Sequence, residues 1–99
     1  MVVLPADRKI VLSDLREMLG DPELKLASES EFVARFPDCE FGAIPPFGNL
    51  YGLPVYIAES LAHEAEIAFN AGNHCEVFKL SYEDYAELVQ PVVLDFATV

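Results

Sequence analysis

The stretch PDCEFGAIPPFGNLYGLP, from Pro37 to Pro54, constrains this chain more than any other. Its 18 positions hold four of the seven prolines and three of the five glycines, with Phe41, Ile44, Phe47, Leu50 and Tyr51 among them. Pro45 and Pro46 each fix φ and remove an N–H donor, while Gly42, Gly48 and Gly52 allow backbone shapes that other residues resist. Such a stretch folds as a stiff apolar loop, not as a helix or a central strand. Two readings of it stand side by side. In one, the loop is a hydrophobic connection laid over the core. In the other, it turns the free N–H groups of Gly42, Ala43 and Ile44 toward a ligand. Composition alone favours the connection, because a loop becomes functional when a rigid scaffold presents it.

What surrounds the loop is one small domain. A chain of 99 residues has room for a single core and buries roughly 60 to 70% of its unfolded surface. Hydrophobic residues make up 53% and the mean hydropathy is +0.26, rich enough to leave apolar surface for a partner. No apolar run reaches the roughly 18 residues of a membrane span, and the start lacks the pattern of a signal peptide, so a cytoplasmic protein is expected. Cys39 and Cys75 lack metal-ligand spacing and are expected reduced and partly buried.

Charge limits the partners. Seventeen acids face six scattered basic residues, for a net charge of −11. Broad binding to nucleic acid depends on neutralising phosphates, which this chain cannot do. None of its lysines or arginines falls between Asp38 and Glu76.

Along the chain, Val2 to Leu4 read as a strand that stops at Pro5. Leu12, Leu15 and Leu19 recur at helical spacing, with Ser13 as candidate N-cap and Gly20 as the stop. Leu24 to Ala27 suggest a second strand. Ser28 and Glu31 form a capping box for a helix that turns Phe32, Val33 and Phe36 inward and ends at Pro37. Val55 to Ile57 predict a strand, and Glu59 to Ala62 a helical turn. A hairpin follows: Ile67 and Phe69 lie on one strand, Asn70 to Asn73 turn the chain, and Cys75 to Leu80 return. Ser81 caps a last helix with Tyr82, Tyr85, Leu88 and Val89 inward, ending at Pro91. His63, among Glu64 and Glu66, is a solvated histidine, since one histidine without a second ligand makes no metal site. Strand and helix signals alternate, which sets the class as α/β (α+β), a mixed sheet with short helices packed on it.

The run from Pro37 through Ile57, followed by FNAGNH at Phe69 to His74, resembles the YbaK and prolyl-tRNA synthetase associated domain, a family of aminoacyl-tRNA deacylases. GAIPP fits that family's Gly-x-x-x-Pro loop, with Gly42 and Pro46 as its defining positions. VVLPADRKIVLSDLREMLG and LKLASESEFVARF resemble the family's middle section, so the likeness covers nearly the whole chain. It reverses the balance between the two loop readings.

The resemblance implies a sheet curled toward a barrel and hydrolysis of the ester that joins a wrongly attached small amino acid, alanine on a proline tRNA or a related species, to its tRNA. The expected catalytic groups are the backbone donors of Gly42, Ala43 and Ile44, set to stabilise the oxyanion. Pro45, Pro46 and Phe47, with Asn73 and His74, are the expected substrate-binding residues. No cofactor or metal is implied. The expected partners are the acceptor end of an aminoacyl-tRNA and a synthetase. Family members carry a further N-terminal segment with a lysine important for deacylation, and this chain is expected to begin after it. Hence two alternatives stay open: a noncatalytic binding module that keeps the pocket, and a fragment. An uncovered first strand would make the chain a homodimer.

Overall fold

Period-two patterning from Val55 to Ala58 builds the centre of the fold. The computed structural model describes residues 1–40, 44–73 and 75–99. Strand β1 is Val2–Val3 and β2 is Lys9–Ile10, followed by helices α1, Leu12–Leu19, and α2, Glu29–Arg35. A 3-10 turn at Gly48–Tyr51 leads to β3, Tyr56–Ala58, and to α3, Glu59–Ala62. Strands β4, Glu66–Asn70, and β5, Val77–Ser81, precede α4, Tyr82–Val89, and the chain closes with β6, Val92–Leu94, and β7, Ala97–Thr98.

β3 is the middle strand of a parallel sheet ordered β1-β3-β6, with Val3 opposite Ile57 and Ile57 opposite Val93. Successive side chains on a strand point to opposite faces, and here this divides the core in two. Val55 and Ile57 face one cluster, with Ile67, Tyr85 and Val89. Ala58, with Tyr56 beside it, faces the other, around Leu15 and Phe96. β1 obeys the same alternation, since Val3 packs on the first cluster while Val2 and Leu4 pack on the second. The β4–β5 hairpin is antiparallel, with Phe69 opposite Phe78, and β2 pairs antiparallel with β7. Parallel and antiparallel strands with short helices bear out the expected α+β class, and the described strands fall into three small sheets.

Several boundaries follow from local chemistry as read. Ser28 Oγ accepts the Glu31 N–H at 3.3 Å, and Ser81 Oγ accepts the Asp84 N–H at 3.1 Å. Gly20 takes a left-handed φ of 66° and ends α1. His63 is exposed and lies 3.6 Å from Glu59, one helical turn back.

Others were overridden. Ser13 does not cap α1; the cap residue is Val11, whose N–H donates to the Phe96 carbonyl at 2.6 Å, so the helix starts directly from the β2–β7 pairing. Leu24 to Ala27 form no strand, because a turn from Asp21 and the Arg16 side chain claim the Leu24 N–H and carbonyl. Val33 and Leu88, expected inward, are 54% and 63% exposed. On each helix the i, i+4 pair is the inner line, Phe32 with Phe36 and Tyr85 with Val89, and the third apolar residue falls on its flank. Cys39 is half-buried as expected, whereas Cys75 is exposed; both are free thiols. β2 and β7, two residues each, carry no local signal, whereas β6 repeats the Val-Val-Leu run of the first strand and was not foreseen.

Candidate functional site

The proline-rich loop enters the first core cluster and leaves a hollow beside it. Among the described residues, Ile44 and Pro46 line an apolar cavity of about 390 Å³. Its other walls are the first segment from Met1 to Ala6, Phe32 of α2, Leu61 of α3, and Ile67 to Phe69 of β4. All these described side chains are apolar, so this part of the wall suits apolar groups.

Local backbone chemistry shapes the loop at this wall. Neither Pro45 nor Pro46 has an N–H to anchor it, so their carbonyls are the only backbone handles. The Pro45 carbonyl accepts the Phe47 N–H at 2.8 Å, a three-residue turn centred on Pro46. The Pro46 carbonyl accepts the Tyr85 hydroxyl at 2.6 Å, from α4, 39 residues away. Tyr85 is fully buried, and burial first, then the neighbouring Tyr82, pushes its phenol up to about 12. Phe47 stands behind the cavity wall, not in it, with its ring edge-on to Phe69 at 5.4 Å and to Tyr85 at 5.5 Å. Gly48 comes next, so close to the first segment that a Cβ there would lie 2.9 Å from Val55 Cγ2 and 3.1 Å from Met1 Cβ.

The loop's other arm meets the hairpin turn. The Glu40 N–H donates to the Gly72 carbonyl at 2.8 Å, and Cys39 Sγ lies 3.7 Å from where a Gly72 Cβ would be. Cys39 also contacts the Tyr51 hydroxyl at 3.6 Å, and this hydrogen bond, ahead of burial, raises the Tyr51 phenol above its ordinary range. Arg35 donates to the Tyr51 carbonyl at 3.1 Å, bringing one cation to the far corner of the loop.

The expected site residues are thus placed as follows. Ile44 and Pro46 face the cavity, Pro45 is half-buried beside them, and Phe47 supports the wall from the core. Asn73 shapes the hairpin turn, its Oδ1 accepting the N–H groups of Cys75 at 2.9 Å and Glu76 at 2.8 Å. Gly42, Ala43 and His74 lie outside the described residues. Sequence reasoning missed the contribution of the first segment, of Phe32 and of Tyr85. The helical spacing of Tyr85 marked it as inner, but nothing local tied it to Pro46.

The α+β fold thus carries an apolar cavity walled in part by a proline-stiffened loop. Residues 1–88 match the aminoacyl-tRNA editing domain, and the chain belongs to that family. It is 38% identical over 98 residues to the multifunctional Ser/Thr-tRNA deacylase ProXp-y of Escherichia coli K12, covering 97% of this chain and 58% of that protein. The prolyl-tRNA editing protein ProX of Acetoanaerobium sticklandii is 29% identical over 94 residues, covering 91% of this chain and 57% of that protein. The chain therefore spans somewhat over half the length of these relatives. Among solved structures, a putative signal transduction protein from Marinobacter aquaeolei VT8 superposes with a TM-score of 0.85 at 19% identity, over 99% of this chain and 22% of that one. The crystal structure of a hypothetical protein gives 0.82 at 20% identity, over 95% and 61%. These likenesses support the fold. Among the described residues, no helix is long and apolar enough to cross a membrane, and no group of three or more His, Cys, Asp or Glu is placed to hold a metal ion.

Proposed function

We propose that the chain is a cytoplasmic aminoacyl-tRNA deacylase that removes a small, wrongly attached amino acid. Family membership supports the reaction class, and the observation that carries the reading is the cavity beside Ile44 and Pro46, in the loop that holds the Gly-x-x-x-Pro positions. In the proposed step, water or a hydroxyl of the terminal ribose attacks the ester carbonyl. Its oxygen bonds to the carbonyl carbon, and the charge that builds on the carbonyl oxygen is met by the N–H groups of Gly42, Ala43 and Ile44. The ester C–O bond then breaks and its electron pair stays on the departing ribose oxygen, which takes up a proton. Water as the attacker gives up a proton to that oxygen and the free amino acid leaves; a ribose hydroxyl as the attacker first carries the acyl group to itself, and water then opens the new ester in the same way.

The apolar lining among the described residues favours an alanyl side chain over a hydroxylated one. A buried hydroxyl without a partner costs about 1 to 3 kcal/mol, which is roughly five- to 150-fold in discrimination. On this reading alanyl-tRNA is preferred over the seryl- and threonyl-tRNA for which the E. coli relative is named. At a net charge of −11 the contact with tRNA is confined to the acceptor end, and a synthetase supplies further affinity. The chain also pairs with a second copy through β1, an edge strand of its sheet among the described residues, since a strand edge invites another strand. Light scattering should show a dimer at micromolar concentration; a monomer would remove this part.

The test is deacylation of alanyl-, seryl- and threonyl-tRNA by the purified chain and by Gly42→Val, where a branched side chain restricts the backbone. Expected is hydrolysis by the parent with alanyl-tRNA fastest, and none by the variant, whose fold circular dichroism should show intact. Full activity of a folded Gly42→Val would overturn the oxyanion role. The apolar lining also supports a second reading, a noncatalytic binding module. Tight binding of an alanyl-adenosine analogue, with no turnover of any aminoacyl-tRNA, would decide for it.

A further inference from the structure

We propose that Tyr85 is a positioning residue, which holds the Pro45–Pro46 corner of the loop at the depth that sets the cavity wall. The inference rests on the deacylase reading for its catalytic consequence but not for its structural one. A fully buried tyrosine hydroxyl finds a partner almost wherever it lies, so the bond alone would say little. What distinguishes this one is the acceptor. The corner carries two consecutive residues without N–H donors, so neither proline can donate a ladder or turn bond to fix it. Of its two carbonyls, that of Pro45 is taken locally by the Phe47 N–H, a bond that moves with the corner. The carbonyl of Pro46 is held at 2.6 Å by a hydroxyl on α4, which ties the corner to another element of the fold.

α4 is itself well anchored. It is capped by Ser81, and its inner residues Tyr85 and Val89 are buried in the same cluster as Ile57 of the central strand. The Tyr85 ring also meets Phe47 edge-on, so the corner is gripped at a carbonyl and at the following side chain. Ile44 and Pro46 both line the cavity, and the residues between Glu40 and Ile44 include the expected oxyanion donors. A rotation of the corner would shift Ile44 and Pro46, and the cavity wall with them. Removing the hydroxyl while keeping the ring should therefore loosen the loop without emptying the core.

Tyr85→Phe tests this. Amide hydrogen exchange read by NMR on the free protein should show the Phe47 and Leu50 amides, both hydrogen-bonded within the loop, exchanging about tenfold faster. The Gln90 amide, bonded to the Ala86 carbonyl at the end of α4, should keep its protection. In deacylation, kcat should fall about tenfold with KM for tRNA within about twofold, because the defect lies in placement of the ester and not in capture of the acceptor end. Unchanged exchange at Phe47 and Leu50 overturns the inference whatever the activity. Equal acceleration in the loop and in α4 also overturns it, by making Tyr85 a plain core residue. A parent protein inactive on every aminoacyl-tRNA would overturn the deacylase reading instead, and the exchange result would still decide the role of Tyr85.

Discussion

The two faces of the central sheet are packed to different ends. On one, Leu15 and Phe96 are buried to 1% and 0% exposure, closed over by α1 and by the β2–β7 pair. On the other, Ile57 and Tyr85 are as deeply placed, yet the same cluster borders a cavity of about 390 Å³. One strand supplies both faces, since alternate residues of Val55 to Ala58 point opposite ways. The difference lies in what each face is packed against. The closed face meets α1 through Leu15 and Leu19 and the β2–β7 side through Ile10, Phe96 and Ala97. The open face meets α4 through Tyr85 and Val89 and, beside that helix, a loop whose consecutive prolines keep it from packing as a strand or helix would, so a hollow remains next to it. A hollow next to a rigid sheet is what a small-ligand site requires.

The comparison can be broken most directly from the closed side. If that face supplies stability, Phe96→Ala should cost about 3 to 5 kcal/mol, while Phe69→Ala, on the cavity wall, should cost less than half as much. Urea denaturation of both variants checks this, and equal losses would show that the cavity side carries as much of the fold. Next in size is Gly48→Ala. Its Cβ would meet Val55 and Met1 at 2.9 and 3.1 Å, so the variant should lose about 1 to 3 kcal/mol and tighten or displace the cavity wall. Wild-type stability in Gly48→Ala would mean that the open face yields more readily than its contacts indicate.

Smaller still is Ser81→Ala, which removes the cap of α4 at a cost of about 1 kcal/mol. Because α4 carries Tyr85, the loss should reach the loop as faster exchange at Phe47. Ser28→Ala should cost a similar amount with no such effect. The smallest effect at neutral pH, and one that grows only in alkali, belongs to the Tyr85 phenol. Its folded pKa of about 12 lies above the ordinary value of 10.0, so its stabilising contribution is complete below pH 10 and is lost as pH rises through 12. A urea midpoint that falls over this range in the parent should fall less in Tyr85→Phe; parallel curves would place the phenol in contact with water.

Much of the frame was legible in the residues because its causes are local. Ser28 and Ser81 cap helices through bonds three residues long, Gly20 stops a helix by its own φ, and the hairpin turn is held by Asn73 within its own loop. The loop was legible too, as a segment outside strands and α-helices, its Gly48–Tyr51 part closing into one 3-10 turn. The cavity's other walls were not. Met1 to Ala6, Phe32, Leu61 and β4 meet there only once the chain has closed upon itself, and no spacing in the sequence encodes their meeting.

The same division runs through the details. Local steric and hydrogen-bonding preferences determine where this chain turns, caps and alternates, and they act within about four residues, so the order of the residues states them outright. Which strand lies beside β3, that Val11 rather than Ser13 begins α1, and that Tyr85 reaches Pro46 across 39 residues were decided by tertiary structure. Those pairings depend on which apolar surfaces fit together when the two sides of the sheet are buried. Apolar burial is non-directional, and selects its partners only by the shape of the packed whole.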